Sequence, residues 1–316
     1  MQPESPCGES YRCAMNGRTQ INLRCAALAA CMLLSPPAAP SSADAPLSAA
    51  EMRALVQRTL ANQHRNDEAL TLYQRREHRL TWKTEQRQNV EDDKLFRVVP
   101  TGTGTIKLVL AEAGKPTPAA DLRKQLLYLE QALVWALHPK ESKQKQRVEK
   151  FQKKQTERRE TVDAVLDAFL FTWLGSDRAD NGRTLVKLRF DPNPDYHPPS
   201  RAASMLAHST AIVWIEPQAA QLVRVEAQLA RDFSVGGGLF GKIYKGSRFV
   251  MEQAPVETGV WLPVQTSYNF KGRKFVFGFE LHEQTRASDY HRIGPPAQAL
   301  AQVRRELTGA RASGSP

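Results

Sequence analysis

Between residues 182 and 293 one segment after another places apolar side chains at alternate positions, and it is an extended strand that turns alternate side chains to one face. The segments "RTLVKLRF", "STAIVWIE", "LVRVEAQLARDF", "SRFVMEQA", "GVWLPVQTSYNF" and "KFVFGFELHEQTRASDY" follow one another across short connections. In "LVRVEAQL", Val223, Val225, Ala227 and Leu229 share one face while Arg224, Glu226 and Gln228 share the other, the pattern of a sheet with one wet side. Near the end, Phe275, Phe277, Phe279 and Leu281 form a single aromatic stripe. The whole stretch reads as an antiparallel sheet.

The rest of the chain adds helices, which makes the class α+β. In "SAAEMRALVQRTLANQ", Met52, Leu55, Val56 and Leu60 stand at helical spacing behind Ser48, a suitable N-cap. Strands are expected over 68–110, with Tyr73 on the core side. "GKPTP" breaks the sheet, and an inserted helical block is expected over 119–174. Its first part, "LRKQLLYLEQALVWAL", ends at His138-Pro139, because proline cannot continue a helix. The middle part, 140–160, carries nine Lys or Arg against four Glu and few apolar residues. The last part places Val162, Val165, Leu166, Phe169, Leu170 and Trp173 at i, i+3, i+4 spacing, which predicts a helix over 162–174 stopped by Gly175. Such a helix would lie as a lid on something hydrophobic, with Phe169 and Trp173 facing inward. A short C-terminal helix and a disordered tail are expected over 294–316.

Little in the sequence promises chemistry. "GGGLFGKI" fits the first seven positions of a phosphate-binding loop through Gly236, Gly241 and Lys242, but Ile243 lacks the hydroxyl for magnesium and a strand follows where a helix is required. A glycine-rich turn between strands explains it better. "DPNPDYHPP" gathers Asp191, Asp195 and His197, yet its four prolines describe an extended connection, so no metal is expected. Neither G-x-S-x-G nor H-E-x-x-H occurs. No cofactor and no enzymatic activity are expected, with a hydrolase using dispersed carboxylates such as Glu216 and Glu226 as the remotest reading.

The formal net charge is +11, which favours anionic partners. The N-terminus suggests where they are met: Arg18 and Arg24 precede the apolar run "CAALAACMLL" and then "SPPAAPSSADA", the order of a secretory signal peptide over 1–43. Cleavage is expected after Ala43, with Met15 an alternative start. The four cysteines, Cys7, Cys13, Cys25 and Cys31, would then all be removed. The alternative is a membrane-anchored lipoprotein acylated at Cys31 within "LAAC". An exported chain seldom meets nucleic acid, and no aromatic series accompanies the basic run. Membrane phosphates are the expected anions for Lys143, Lys145, Arg147, Lys150, Lys153 and Lys154.

Taken together, "IVWIEPQAAQLVRVEAQL", the glycines at 236–238 and "GVWLPVQTSYNF", behind an N-terminal amphipathic helix, long strands and a helical insertion, resemble the LolA-like superfamily of bacterial periplasmic lipoprotein carriers and lipid-binding proteins. Trp214, Ile215, Glu216 and Pro217 correspond to one family signature; Gly259, Trp261, Leu262 and Pro263 correspond to another. The likeness covers about 185–290. It implies a single domain over 44–293 built as a strongly curved, unclosed β-barrel with a helical lid. It also implies a concave face, lined by candidates Trp214, Trp261, Phe275, Phe277 and Phe279 together with Phe169 and Trp173, that holds a lipid or the acyl chains of a lipoprotein. The basic insertion is not part of the ordinary carrier. An envelope interaction or stress-sensor module of the same fold is the alternative.

Overall fold

The computed structural model describes residues 45–179, 181–235, 241–275 and 277–312. The leader over 1–43, Met15, Cys31, the glycines at 236–238 and the tail beyond Ala312 lie outside the described residues.

Helix α1 (Ala49–Leu70) opens the fold. Ser48 caps it: the Glu51 amide donates to Ser48 Oγ at 3.3 Å and the Ser48 amide to Glu51 Oε2 at 2.8 Å, a reciprocal box that satisfies two helix-end donors. The helix runs seven residues beyond "LANQ", so the stretch from Glu68 to Leu70 is helix instead of strand. Its apolar stripe continues past Leu60 into amides, and these have partners only tertiary structure supplies. Strands β1 (Tyr73–Trp82), β2 (Val90–Pro100), β3 (Thr105–Glu112) and the two-residue β4 (Lys115–Pro116) follow as a meander.

Three helices come next: α2 (Ala119–Leu137), α3 (Ser142–Asp163) and the four-residue α4 (Val165–Ala168). The helical block therefore ends at Ala168, and Phe169 begins strand β5 (Phe169–Arg178). The expected helix over 162–174 is corrected here. "FLFTWLG" satisfies both periods, since Phe169, Phe171 and Trp173 also alternate with Leu170, Thr172 and Leu174; pairing with β6 (Thr184–Pro192) makes period two the one that buries side chains. Gly175 is no helix stop. It lies at a register shift between Trp173 and Gly175 with φ +118°, a bulge conformation for which glycine is suited.

A one-turn helix α5 (Arg201–Ser204) and a 3-10 turn at Leu206–His208 lead to β7 (Ser209–Glu216) and β8 (Gln221–Leu229). Short β9 (Phe233–Val235) and β10 (Gly241–Ile243), then long β11 (Arg248–Glu257), β12 (Val260–Lys274) and β13 (Phe277–Arg292), complete one 13-stranded sheet. All its pairs are antiparallel, in the main order β4-β3-β2-β1-β13-β12-β11-β8-β7-β6-β5. The ends β4 and β5 do not pair, so the sheet is unclosed. Helix α6 (Pro296–Ala312), at seventeen residues, is longer than the short helix the sequence suggests.

Two cores hold the helices to the sheet. Leu126, Leu129 and Leu133 of α2 meet Leu300, Val303 and Leu307 of α6 over Val99 and Leu108 of β2 and β3. Met52, Leu55 and Val56 of α1 meet Ala168, Phe169, Leu188, Phe190, Val213 and Ile215. Each fully buried aliphatic side chain contributes about 1.5–3 kcal/mol. Helix α3 joins neither core: Gln144 is its only buried residue among those described.

Candidate functional site

The second core is incomplete. A cavity of about 510 Å³ lies where α1, the end of α3, α4 and strands β5 to β8 and β10 to β12 meet. Strand parity explains its walls: Ser209, Ala211, Val213 and Ile215 are alternate residues of β7, as are Val225, Ala227 and Leu229 of β8, and Tyr268 and Phe270 of β12. Val223 is not in the wall despite its place in the same alternation. The register shifts between Trp214 and Ile215, which pair with Arg224 and Leu222, so the bulge puts Leu222 inward in its place.

Helix α1 roofs this space through Val56, Thr59, Leu60 and Gln63, and Thr161 and Val165 close the side below α3. Buried amides fix the roof. Asn62 Nδ2 donates to the carbonyls of Ala219 (2.7 Å) and Ala220 (2.8 Å). Asn66 donates to Gln221 Oε1 at 2.9 Å while its own Oδ1 accepts the Trp261 amide at 3.0 Å. Gln253 Nε2 donates to Gln63 Oε1 at 3.1 Å. Sequence periodicity missed these residues; the signal available was that 62, 63 and 66 continue the helical face of Met52, Leu55, Val56 and Thr59.

The serine and threonine hydroxyls of the lining are turned back on the chain. Thr59 donates to the Leu55 carbonyl at 2.9 Å, Thr161 to that of Glu157 at 2.7 Å, and Ser209 to that of Met205 at 2.8 Å. What faces the cavity is therefore hydrocarbon and aromatic ring, and its volume is that of a small-molecule site. Burial pushes the Tyr268 phenol above its ordinary value, with Glu283 adding to it and Arg158 opposing, so the ring stays neutral at the cavity's edge.

Of the residues singled out from the sequence, Phe169 lines the cavity. Trp173 packs, half-buried, against the same core but outside the lining. Trp214 has the parity opposite to Val213 and Ile215: its Nε1 donates to Asp177 Oδ2 at 3.1 Å, and Lys187 Nζ and Arg224 Cζ stand 4.9 and 5.6 Å from its ring centre. Trp261, 7% exposed, lies under the Arg183 guanidinium. Phe275, Phe277 and Phe279 are also elsewhere, at the tip of the β12–β13 hairpin, 50, 75 and 39% exposed. The Phe279 ring covers Gly272, where a Cβ would lie 2.3 Å from the Lys242 carbonyl.

The remaining motifs also find places. Lys242 pairs with Asp232 at 2.7 Å, and Gly241–Ile243 is a strand. Asp191 accepts from Arg189 and Glu216 from the Gln218 and Ala219 amides. Lys143, Lys145, Arg147, Lys150, Lys153 and Lys154 are exposed on α3 without an ion pair among the described residues. No helix among the described residues is long and apolar enough to cross a membrane. Comparison with family models, with curated proteins and with solved structures finds no match.

Proposed function

We propose that this protein is a periplasmic binding or carrier protein of LolA-like fold that holds a lipid, or the acyl chains of a lipoprotein, between its sheet and its helices. The observation that carries the reading is the cavity: apolar walls from seven strands, a helical roof, and serine and threonine hydroxyls bonded back to backbone carbonyls. An unfilled space of this kind forfeits packing energy along its whole lining, which a hydrocarbon ligand restores. In this reading the sheet is a strongly curved half-barrel, and α3 with α4 is its lid. The lid assignment is supported by the way α3 attaches. Arg158 bonds both oxygens of Asp67 at 2.6 and 2.7 Å, Arg159 bonds Glu68, and His64 Nε2 lies 2.6 Å from Asp163. The Arg159–Glu68 pair is open to water, and such a pair releases more readily than a buried seam.

The exposed Phe275, Phe277 and Phe279 favour one alternative, an envelope interaction module that uses the hairpin tip. Delipidated protein titrated with a fluorescent fatty acid separates the two. Saturable binding, weakened by Phe169→Ala and unaffected by Phe277→Ser, is expected for a carrier; folded protein without saturable binding would end that reading.

A further inference from the structure

The apolar cavity has a neighbour of opposite character. Phe249 and Tyr268, whose ring centres lie 5.2 Å apart, line the apolar cavity and also line a second cleft of about 640 Å³. Arg147, Lys150, Lys154 and Arg158 border that cleft, at the three- and four-residue spacing that puts them on one face of α3. Arg75 of β1 also lines the cleft but is bonded to Glu77 at 2.6 Å, and the one acid in the lining is Asp67. The acid is already engaged, since Arg158 bonds both its oxygens. Arg147, Lys150 and Lys154 make no ion pair among the described residues. Lys143, Lys145 and Lys153 do not border the cleft, although they belong to the same basic run.

A shared aromatic wall between a hydrocarbon-lined space and a cationic cleft matches a molecule with two ends. We infer that the ligand is an anionic phospholipid, its acyl chain in the apolar cavity and its phosphate head in the cleft against Arg147, Lys150 and Lys154. This rests on the binding reading above and names its ligand class. It also gives the basic segment 140–160 a task other than general attraction to membranes: α3 carries the head-group site as well as covering the tail. The chemistry needed is that of charge-assisted hydrogen bonds from guanidinium and ammonium groups to phosphate oxygens, stronger beside a low-dielectric wall than in open water.

The test uses monomeric fluorescent-tailed phosphatidylglycerol and phosphatidylcholine with identical chains, titrated into the delipidated full chain at low salt. Phosphatidylglycerol is expected to bind roughly ten- to a hundredfold more tightly. The triple variant Arg147→Gln, Lys150→Gln, Lys154→Gln should bring the two lipids level, costing phosphatidylglycerol far more affinity than phosphatidylcholine, whose phosphate is offset by its own choline cation. The triple variant Lys143→Gln, Lys145→Gln, Lys153→Gln removes the same charge away from the cleft and should keep the preference. Equal affinities in the parent would overturn the inference, as would an equal loss in both variants, which would assign the effect to net charge. Inorganic phosphate that displaces phosphatidylglycerol at equal concentration would make the cleft a free-phosphate site and also overturn it. If neither lipid binds, it is the binding reading itself that fails.

Discussion

Phe169 and Trp173 lie on one face of the same strand, yet only Phe169 reaches the cavity. Its ring meets Phe190 at 5.6 Å on one side and borders the cavity on the other. Truncating a fully packed phenylalanine costs about 3–5 kcal/mol, whereas a ring with one bare side has fewer contacts to lose. Phe169→Ala is therefore expected to weaken fatty-acid binding by more than it lowers the melting temperature of ligand-free protein. Trp173→Ala should do the reverse, because its ring packs on the core outside the lining. Calorimetry and titration on both variants check this, and equal ligand affinity in Phe169→Ala and parent would remove it from the site. Phe277→Ser, at a position 75% exposed, should leave the melting temperature of the free protein unchanged. Residue parity was legible in part: Val213 and Ile215 face opposite to Trp214, but the stripe expected from Phe275 to Leu281 is broken, because Phe275 lies in the β12–β13 turn with φ +54°. Which side of a strand meets the cavity was not, because alternation is symmetric and only the pairing partner breaks the symmetry.

At the scale of elements, the long amphipathic pieces could be read directly, and the short ambiguous ones could not. α1 announced itself through Ser48 and its apolar spacing, and α2 through its leucines and Pro139. "FLFTWLG" did not, since seven residues can satisfy periods of two and 3.6 together, and the decision came from β6, whose Phe190 pairs with Phe171. The cavity roof shows the same dependence on distant sequence. Asn66 bonds Gln221 and the Trp261 amide, partners 155 and 195 residues away. Asn66→Ala would bury the Trp261 N–H without an acceptor, at a cost of about 1–3 kcal/mol. Urea unfolding is expected to register that loss, and an unchanged midpoint would mean that water replaces the amide. By contrast α3 also sits on α1 through charges open to water: the Arg159–Glu68 pair, 58 and 66% exposed, is worth about 0–1 kcal/mol, unlike the bidentate Arg158–Asp67 pair, whose carboxylate is 16% exposed. Glu68→Gln should accordingly change the melting temperature little but speed both ligand exchange and hydrogen exchange in α3. Parent protein at high salt should behave alike, since salt screens the same pair.

For the whole molecule, the decisive contact is the one between β1 and β13, which joins the first strand to the last and makes two meanders one sheet. No local pattern in the sequence announces that pairing, and the groups around it make it pH-dependent at both ends of the scale. On β1, Glu77 is 8% exposed and bonds Arg75 (2.6 Å) and Lys107 of β3 (2.6 Å). Burial alone would raise its carboxyl, but the two cations outweigh burial and hold it below its ordinary value of 4.5. A carboxyl lowered in the folded state stabilises above its unfolded value, and the contribution disappears as pH falls through the folded one. On β13, Tyr290 donates to the Pro263 carbonyl at 2.5 Å, and burial pushes its phenol up to about 12. Burial likewise lifts Tyr73, whose ring centre is 6.5 Å from that of Tyr290, to about 12. Raised groups work in the opposite sense: their contribution is complete below the unfolded value near 10 and is lost as pH climbs toward 12. Stability should therefore be flat across neutral pH, fall on acidification below about 4.5, and fall again between about 10 and 12. Glu77→Gln isolates the acid limb. At pH 7 it leaves Arg75, 13% exposed, without its carboxylate and should cost about 3–5 kcal/mol. As the parent's own Glu77 becomes protonated the two proteins should converge, so urea midpoints measured from pH 7 downward draw together. A constant gap between them at every pH would show that the loss comes from packing and not from the ion pairs that join β1 to β3.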